Sequence, residues 1–476
     1  MNSYKYKFKA LNNHTYMFNY NYIISISFFV GSEIMFEDMK KYQRDKKFLD
    51  IDYRIFLLKK LEKVLKDKKE DIYEALYEDL GKNENEVFLT EYLMVRKELS
   101  YMIKNTRKFA RPRKVKISII NFLSTSYIEN EPYGLVLVIA PWNYPINLSL
   151  IPLIGAVAAG NSVVLKPSSQ SKATSKILKE IIEETFPREV VFCLDGPDAN
   201  EIAMREKFDY IFFTGSQETG QKLYEKAARD LCPISLELGG KSPCLVMEDA
   251  DLDLSVKRIF FGKFLNAGQT CVSVDYVLCH ESLIDKFIEK MYNTVDEYYK
   301  NPLKTDKFGK IINYKEFDRL KAILDQENVD YEYDYENRKI SPVILKTDTA
   351  SLLMKDEIFG PVLPVIPYKD LEKSLDYINS AKTPLAFYIF TRDIKKAKAI
   401  IKKVSFGGGA INDTIEHISG NMPFGGFKES GFGSYHGKET YFTFVHKKSI
   451  LNKSLLLDLA IRYPGSNINF LKRLFK

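Results

Sequence analysis

Six consecutive apolar residues, Leu135–Ala140 (LVLVIA), stand between Gly134 and Pro141. A run of that length, without polar alternation, fits a strand buried on both faces. Such a strand needs helices above and below it, which commits this part of the chain to a layered α/β architecture. The residues that follow keep to that plan. Ser162–Leu165 reads as a strand, Ala173–Glu184 as a helix, Val190–Leu194 and Tyr210–Phe213 as strands, and Gln217–Arg229 as a helix. This alternation predicts a doubly wound parallel sheet. A second α/β stretch runs from Leu238 to Asn412, with strand candidates Pro243–Val246, Ser273–Cys279, Pro361–Ile366 and Ala386–Phe390.

Upstream, residues 50–110 read as helices, because Leu57, Leu58, Leu61, Val64 and Leu65 recur at helical spacing. Ser126–Glu131 and Thr440–Ile450 read as extended. A chain of 476 residues supports two or three domains. We expect a first domain over 35–236 with an arm segment near 115–132. A second domain is expected over 237–435, then a segment and tail over 436–476. No internal repeat or long linker marks the boundaries.

The charge balance, 70 Lys plus Arg against 63 Asp plus Glu, is mildly positive at +7. It shows no concentrated basic footprint, so nucleic acid is not an expected partner. Five cysteines without a C-x-x-C pair, and only five histidines, argue against a disulfide framework and a structural zinc site. No metal is expected. No run reaches the roughly 18–20 apolar residues that span a bilayer. Residues 1–34 are expected to form a disordered extension. Its stretch Tyr22–Val30, behind Lys5, Lys7 and Lys9, loosely imitates a secretory leader. The tail Ile468–Lys476 is apolar and basic; it either touches a membrane surface weakly or packs on its own protein.

Two glycine-rich fragments fail as phosphate loops. Gly239-Gly240-Lys241-Ser242 lacks the required upstream glycine, since position 235 is serine. Gly431–Gly437 is one residue too long for G-x-G-x-x-G. Four other segments carry chemistry. Pro141-Trp142-Asn143-Tyr144-Pro145 follows a strand end, where parallel sheets bind ligands. Asn143 there is either an oxyanion donor or a turn asparagine. Phe213–Gly220 runs from strand through Gly215-Ser216 into a helix. That helix start offers amides to a phosphate, and Gly215 permits close approach, unless Ser216 is simply an N-cap. Glu237 lies between Leu236 and Leu238. Desolvation there raises a carboxyl pKa toward the range useful for proton transfer, unless the group is paired structurally. Cys271 ends Gly268-Gln269-Thr270-Cys271, a polar loop suited to an accessible thiol of lowered pKa. Cys193, Cys244 and Cys279 sit in apolar stretches and Cys232 precedes Pro233, so these four read as inert.

Together these segments resemble the aldehyde dehydrogenase superfamily, and within it the class-3 and fatty aldehyde dehydrogenase branch. The resemblance runs from about Met35 to Tyr463-Pro464. It includes Glu131-Pro132-Tyr133-Gly134, Leu165-Lys166-Pro167-Ser168, Glu237–Pro243, Glu357-Ile358-Phe359-Gly360-Pro361 and Pro423-Phe424-Gly425-Gly426. It implies a fold with a cofactor domain, a catalytic domain and a β-arm for oligomerisation. It implies oxidation of an aldehyde, aliphatic or aromatic, with NAD or NADP. Cys271 would form a thiohemiacetal and then a thioester, Asn143 would stabilise the oxyanion, and Glu237 would activate water. Lys166 would contact the adenosine ribose. Gly215 and Ser216 would lie near the pyrophosphate, with Trp142 and Gly220 also in the cofactor site. Glu357 would hold the nicotinamide ribose, with Phe359 beside it.

Ser169 departs from the pattern: relatives commonly place there a glutamate that grips the adenosine ribose. A carboxylate would repel a 2′-phosphate and a serine does not, so NADP is expected to be accepted along with NAD. Phe427, after Gly425-Gly426, replaces a residue that is usually smaller. The resemblance further implies a homodimer, and a thiol nucleophile suits the cytoplasm. Two rival readings stand beside this one. A CoA-acylating aldehyde dehydrogenase would pass the thioester to CoA and need no water-activating Glu237. A non-catalytic protein on the same fold would not need Cys271, Glu237 and Asn143 together.

Overall fold

From residue 135 onward, strands and helices alternate as the apolar run requires. The computed structural model describes residues 34–45, 50–117, 121, 123–418, 420–456, 458 and 462–474. The expected extension and leader-like stretch over residues 1–33 lie outside the described residues. In chain order the strands are β1 (Arg113–Val115), β2 (Thr125–Pro132), β3 (Leu135–Ile139), β4 (Ser162–Lys166), β5 (Val191–Cys193), β6 (Tyr210–Gly215), β7 (Ile234–Leu238), β8 (Pro243–Val246), β9 (Tyr276–His280), β10 (Tyr333–Asp334), β11 (Lys339–Ile340), β12 (Val343–Lys346), β13 (Val362–Tyr368), β14 (Ala386–Phe390), β15 (Gly408–Ile411), β16 (Gly431–Phe432) and β17 (Val445–Asn452).

They build two six-stranded sheets, a three-stranded one and a hairpin-sized pair. The first large sheet has the order β16-β7-β6-β3-β4-β5 and is parallel except for β16. Its chain path runs outward from β3 through β4 to β5, then returns to β6 on the other side of β3. That reversal is a topological switch point, where parallel sheets open a crevice at the carboxyl ends of their strands. The second sheet, β12-β13-β9-β8-β14-β15, is parallel throughout. The antiparallel sheet β1-β2-β17 unites the two stretches expected to form an arm, with all eight residues of β17 paired to β2.

Helix Pro145–Ala159 is buried along its whole length, as its lack of a polar face demands. Pro145 presets its first turn and Gly160, at φ 101°, ends it in the left-handed region. The buried Arg54 donates to the carbonyl of Ala158 at its last turn, 3.0 Å away.

Three differences from the sequence reading have physical causes. The first is that Ser273–Asp275 are not part of β9; Asp275 is turned aside, its N–H on the Ser242 carbonyl at 2.9 Å and its carboxylate on Ile358 N at 3.0 Å. The second is that Thr440–Phe442 are helical, within Lys438–Phe442, because this turn packs on helix Pro145–Ala159. The backbone of Thr440 lies where a side chain on Gly155 would stand. The third is that β7, β12 and β15 were not anticipated as strands. Leu455, Leu456 and Tyr463 are exposed, as is Ile468 at the start of the tail, whose other apolar side chains lie outside the described residues. Among the described residues no helix is long and apolar enough to cross a membrane.

Candidate active site

Cys271 stands just past a 3-10 turn, Leu265–Gly268, in which Asn266 and Ala267 both take φ 52°. Left-handed backbone at two non-glycine residues is strained and persists only where the surroundings hold it. Gly268, at φ 77°, is pressed against the Gly360 carbonyl and leaves no room for a side chain. Gln269, fully buried, ties the loop down: its amide donates to the Asn266 and Lys310 carbonyls, each at 3.0 Å, and accepts from Ile312 N at 3.0 Å. Next to the cysteine, Thr270 Oγ1 meets the Tyr144 hydroxyl at 2.6 Å. Cys271 itself keeps partial exposure, whereas Cys193, Cys232, Cys244 and Cys279 are buried.

Asn143 lies at the carboxyl end of β3 beside this loop and is buried. One N–H of its side-chain amide donates to the Gln269 carbonyl at 3.0 Å. Its backbone carbonyl accepts from Lys82 Nζ at 2.8 Å and from Asn266 Nδ2 at 2.9 Å. Lys82 is in turn paired with Glu91 at 2.7 Å, both side chains fully buried. Sequence reading missed this pair. Nothing local marks Lys82, which follows Gly81 at a helix end, or Glu91, which sits in the π-turn Phe88–Tyr92. Such π-turns recur at functional sites. Glu86, from the same segment, accepts from Asn266 N at 2.7 Å, and burial raises its carboxyl to about 7.

Glu237 is in β7, between Thr214 of β6 and Gly431 of β16. It is buried, neither carboxylate oxygen has a hydrogen-bond partner among the described residues, and desolvation alone raises its pKa well above the usual value. Its charge acts on both Cys271 and Tyr435, as does that of Glu357 on Cys271. Glu357 lies over Gly239 and accepts the Gly240 N–H, so a side chain at 239 would displace it. Burial raises this carboxyl too, with Lys241 and Lys263 opposing. Lys241 anchors the Glu357 loop by donating to Asp275 and to the Leu353 carbonyl, both at 2.6 Å. Lys263 Nζ has no hydrogen-bond partner among the described residues; burial lowers its pKa to about 8.

The thiol does not have the lowered pKa that its polar sequence context suggested. Desolvation first, then the Glu357 and Glu237 carboxylates, push Cys271 up to about 12. A raised thiol pKa keeps the sulfur protonated at neutral pH, and the thiolate fraction grows as pH rises. Alkylation of Cys271 by iodoacetamide, in the protein without cofactor, is therefore expected to accelerate steadily from pH 6 to 10. A plateau reached by pH 7.5 would show a preformed thiolate and refute this.

The crevice at the switch point meets the remaining residues. Lys166 ends β4, is buried, and donates from Nζ to the Pro167 carbonyl at 3.4 Å; burial lowers its pKa. With Ser169 on the rim, it lines a cavity of about 560 Å³ that also carries Lys172, Lys176 and Lys179. Lys179 is paired with Asp195 at 3.1 Å. Ser216 does cap helix Gln217–Asp230, accepting from Thr219 N at 3.4 Å. With Gln217, Gly239 and Glu357 it borders a second cavity, of about 380 Å³. Gly215 ends β6 against the Phe213 ring, and Gly220 is packed on Leu238, which brings helix and strand close. Trp142 meets Phe359 edge-on at 5.3 Å, with Phe359 held at φ 52°. A cationic pocket with the buried Lys166 at a strand end, and a helix start at Ser216, fit a phosphate-bearing dinucleotide. Cys271 also opens onto a third cavity, of about 170 Å³, walled by Leu93, Leu148, Phe261, Leu265, Ile415 and Phe424. No cluster of three or more metal-binding side chains occurs among the described residues.

Known proteins resemble this chain over most of its length. The profile of the aldehyde dehydrogenase family matches residues 33–450. The 4,4′-diaponeurosporen-aldehyde dehydrogenase of Staphylococcus aureus is 39% identical over 454 residues, spanning 93% of this chain and 99% of that protein. The dimeric NADP-preferring aldehyde dehydrogenase of Canis lupus familiaris is 40% identical, spanning 87% and 94%. A solved structure of Staphylococcus aureus AldH in a substrate-bound state superposes with a TM-score of 0.90 at 38% identity, covering 93% and 99%.

Proposed function

The chain belongs to the aldehyde dehydrogenase family, and on that premise we propose which of its own residues oxidise the aldehyde and how. It is an NAD(P)-dependent aldehyde dehydrogenase that converts aldehydes to carboxylic acids. The observation that supports this assignment of roles is that Cys271 lines an apolar cavity while the Asn143 amide bonds Gln269, two residues before it, and the buried Glu237 acts on it electrostatically.

In this reading the aldehyde enters along Leu93, Leu148, Phe261 and Phe424, which select an apolar body, aliphatic of medium or long chain or aromatic. Cys271 gives its proton to solvent water, and its sulfur attacks the carbonyl carbon as the C=O π pair moves onto oxygen, giving a thiohemiacetal oxyanion. The free N–H of the Asn143 amide and the backbone N–H of Cys271 hold the oxyanion. The bound nicotinamide dinucleotide supplies the hydride acceptor. Lys166, Ser169, Gly215 and Ser216 would hold its adenosine and phosphate end, Gly220 would let the capped helix approach, and Trp142, Glu357 and Phe359 would hold the nicotinamide end. The acyl group is then a thioester on Cys271. Glu237 takes a proton from water, the water oxygen attacks the acyl carbon, and the Cys271 thiolate leaves. A desolvated carboxyl of raised pKa suits this proton transfer near neutral pH.

Ser169 beside Lys166, Lys172 and Lys176 supports acceptance of NADP as well as NAD. The test is initial rates on a medium-chain aliphatic aldehyde with each cofactor and without CoA. Reduction of both cofactors is expected. No reduction until CoA is added would move the chain to the acylating class. Ser169→Glu is expected to shift the kcat/KM ratio about tenfold toward NAD, since the new carboxylate repels a 2′-phosphate. An unchanged ratio would remove Ser169 from the argument. The open edges of β1-β2-β17 suit pairing of two copies, which supports a homodimer. Five free cysteines and a thiol nucleophile support a cytoplasmic setting. The exposed Ile468, four and five residues before Lys472 and Arg473, supports weak contact of the tail with a membrane surface.

A further inference from the structure

The deepest ion pair next to the site takes no part in the steps above. Lys82 and Glu91 are both fully buried, 2.7 Å apart. Burying two charges costs several kcal/mol per ion by desolvation, and apolar replacements of similar volume are often as stable or more so. Stability is therefore a weak reason for the pair, and its contacts offer a better one. Lys82 Nζ donates to the Asn143 carbonyl at 2.8 Å and lies 3.9 Å from the centre of the Tyr144 ring. Glu91 uses its second oxygen to accept Asn147 N at 2.8 Å, in the first turn of helix Pro145–Ala159. Asn147 Nδ2 returns a bond to the Thr90 carbonyl at 2.9 Å. The pair thus grips the segment 143–147 at both ends. Asn266 Nδ2 adds a second bond to the Asn143 carbonyl and ties it to the nucleophile's loop, where it also reaches the Gln269 carbonyl at 3.1 Å.

We propose that Lys82, held by Glu91, is a positioning residue that fixes Asn143 so that its free amide N–H faces the Cys271 carbonyl adduct. Oxyanion donors act only when held at the place where the charge develops. A backbone tether at the donor's own carbonyl limits rotation of residue 143 as a whole. The inference rests on Asn143 being the oxyanion donor.

Four variants test it. Asn143→Ala is expected to lower kcat about 100- to 1,000-fold, the usual effect of losing one oxyanion donor. Glu91→Gln and Lys82→Met are expected to lower kcat 10- to 100-fold with KM changed less than threefold. Alkylation of Cys271 by iodoacetamide displaces iodide and forms no oxyanion, so its rate is expected to stay within twofold of wild type. The double variant Lys82→Met/Glu91→Met removes both charges, so it strands neither. Its Tm is expected at or above wild type while kcat stays low. Recovery of kcat in the double variant would make the pair merely structural and overturn the proposal. So would equal losses in alkylation and turnover, which mean a collapsed site. Should the double variant not fold, the contrast between alkylation and turnover in Glu91→Gln decides. If Asn143→Ala turns over normally, the reading of Asn143 fails; if it is slow and the Lys82 and Glu91 variants are not, only this inference fails.

Discussion

Cys271→Ala is expected to lower aldehyde oxidation by at least about three orders of magnitude, since covalent catalysis has no substitute for its nucleophile. The loss should appear in kcat with any aldehyde and either cofactor. Cofactor binding, followed by nicotinamide fluorescence, should persist, because the crevice residues Lys166, Ser216 and Glu357 lie outside the thiol loop. The fold should persist as well: Cys271 is partly exposed and the loop is held by Gln269 and Gly268. Residual activity above a few per cent would mean that another group attacks the carbonyl. The other four cysteines, buried in the fold, are not placed to do so.

Glu237→Gln is expected to separate the two halves of the reaction. The glutamine keeps the shape and loses the base, so steady-state turnover should fall about 100- to 10,000-fold, the range for one general base. Acylation should survive, leaving an acyl adduct on Cys271 visible as an added mass in the intact protein. Adding hydroxylamine should discharge it. An adduct that never accumulates would show that Glu237 acts before the thioester, as the base for the thiol. The thiol's own elevated pKa makes that alternative concrete, and the adduct distinguishes the two.

How far the sequence foretold this molecule varied with how local the signal was. Strands covered on both faces are apolar runs, and β3, β4 and β14 were legible for that reason. β7 was not, because Glu237 interrupts its apolar run. β15 was hidden by Gly407–Gly409, which read as loop; Gly409 is glycine because the Phe387 carbonyl lies against it. The order of the motifs singled out Asn143 and Cys271 in loops and Glu237 between two leucines, because the local chemistry of each is unusual. The electrostatics did not follow. Cys271 has polar neighbours in sequence, while in space it faces two carboxylates drawn from 237 and 357 and an apolar wall. The Lys82–Glu91 pair was out of reach altogether, because a lysine after a helix-ending glycine looks like any surface lysine until the fold closes over it.

The wall around Cys271 also has a history. Leu93 and Leu148 precede the nucleophile in the chain, but Ile415, Phe424 and Tyr435 follow it by more than 140 residues. β16, which completes the first large sheet beside Glu237, follows later than Phe424. At synthesis rates of about 5–20 residues per second, a nascent chain carries its thiol for roughly ten to thirty seconds before the last wall exists. During that interval Cys271 lacks the part of its wall that Ile415, Phe424 and Tyr435 supply. Its chemistry is assembled late, and a chain cut short before residue 415 would carry the nucleophile without the enclosure that directs it.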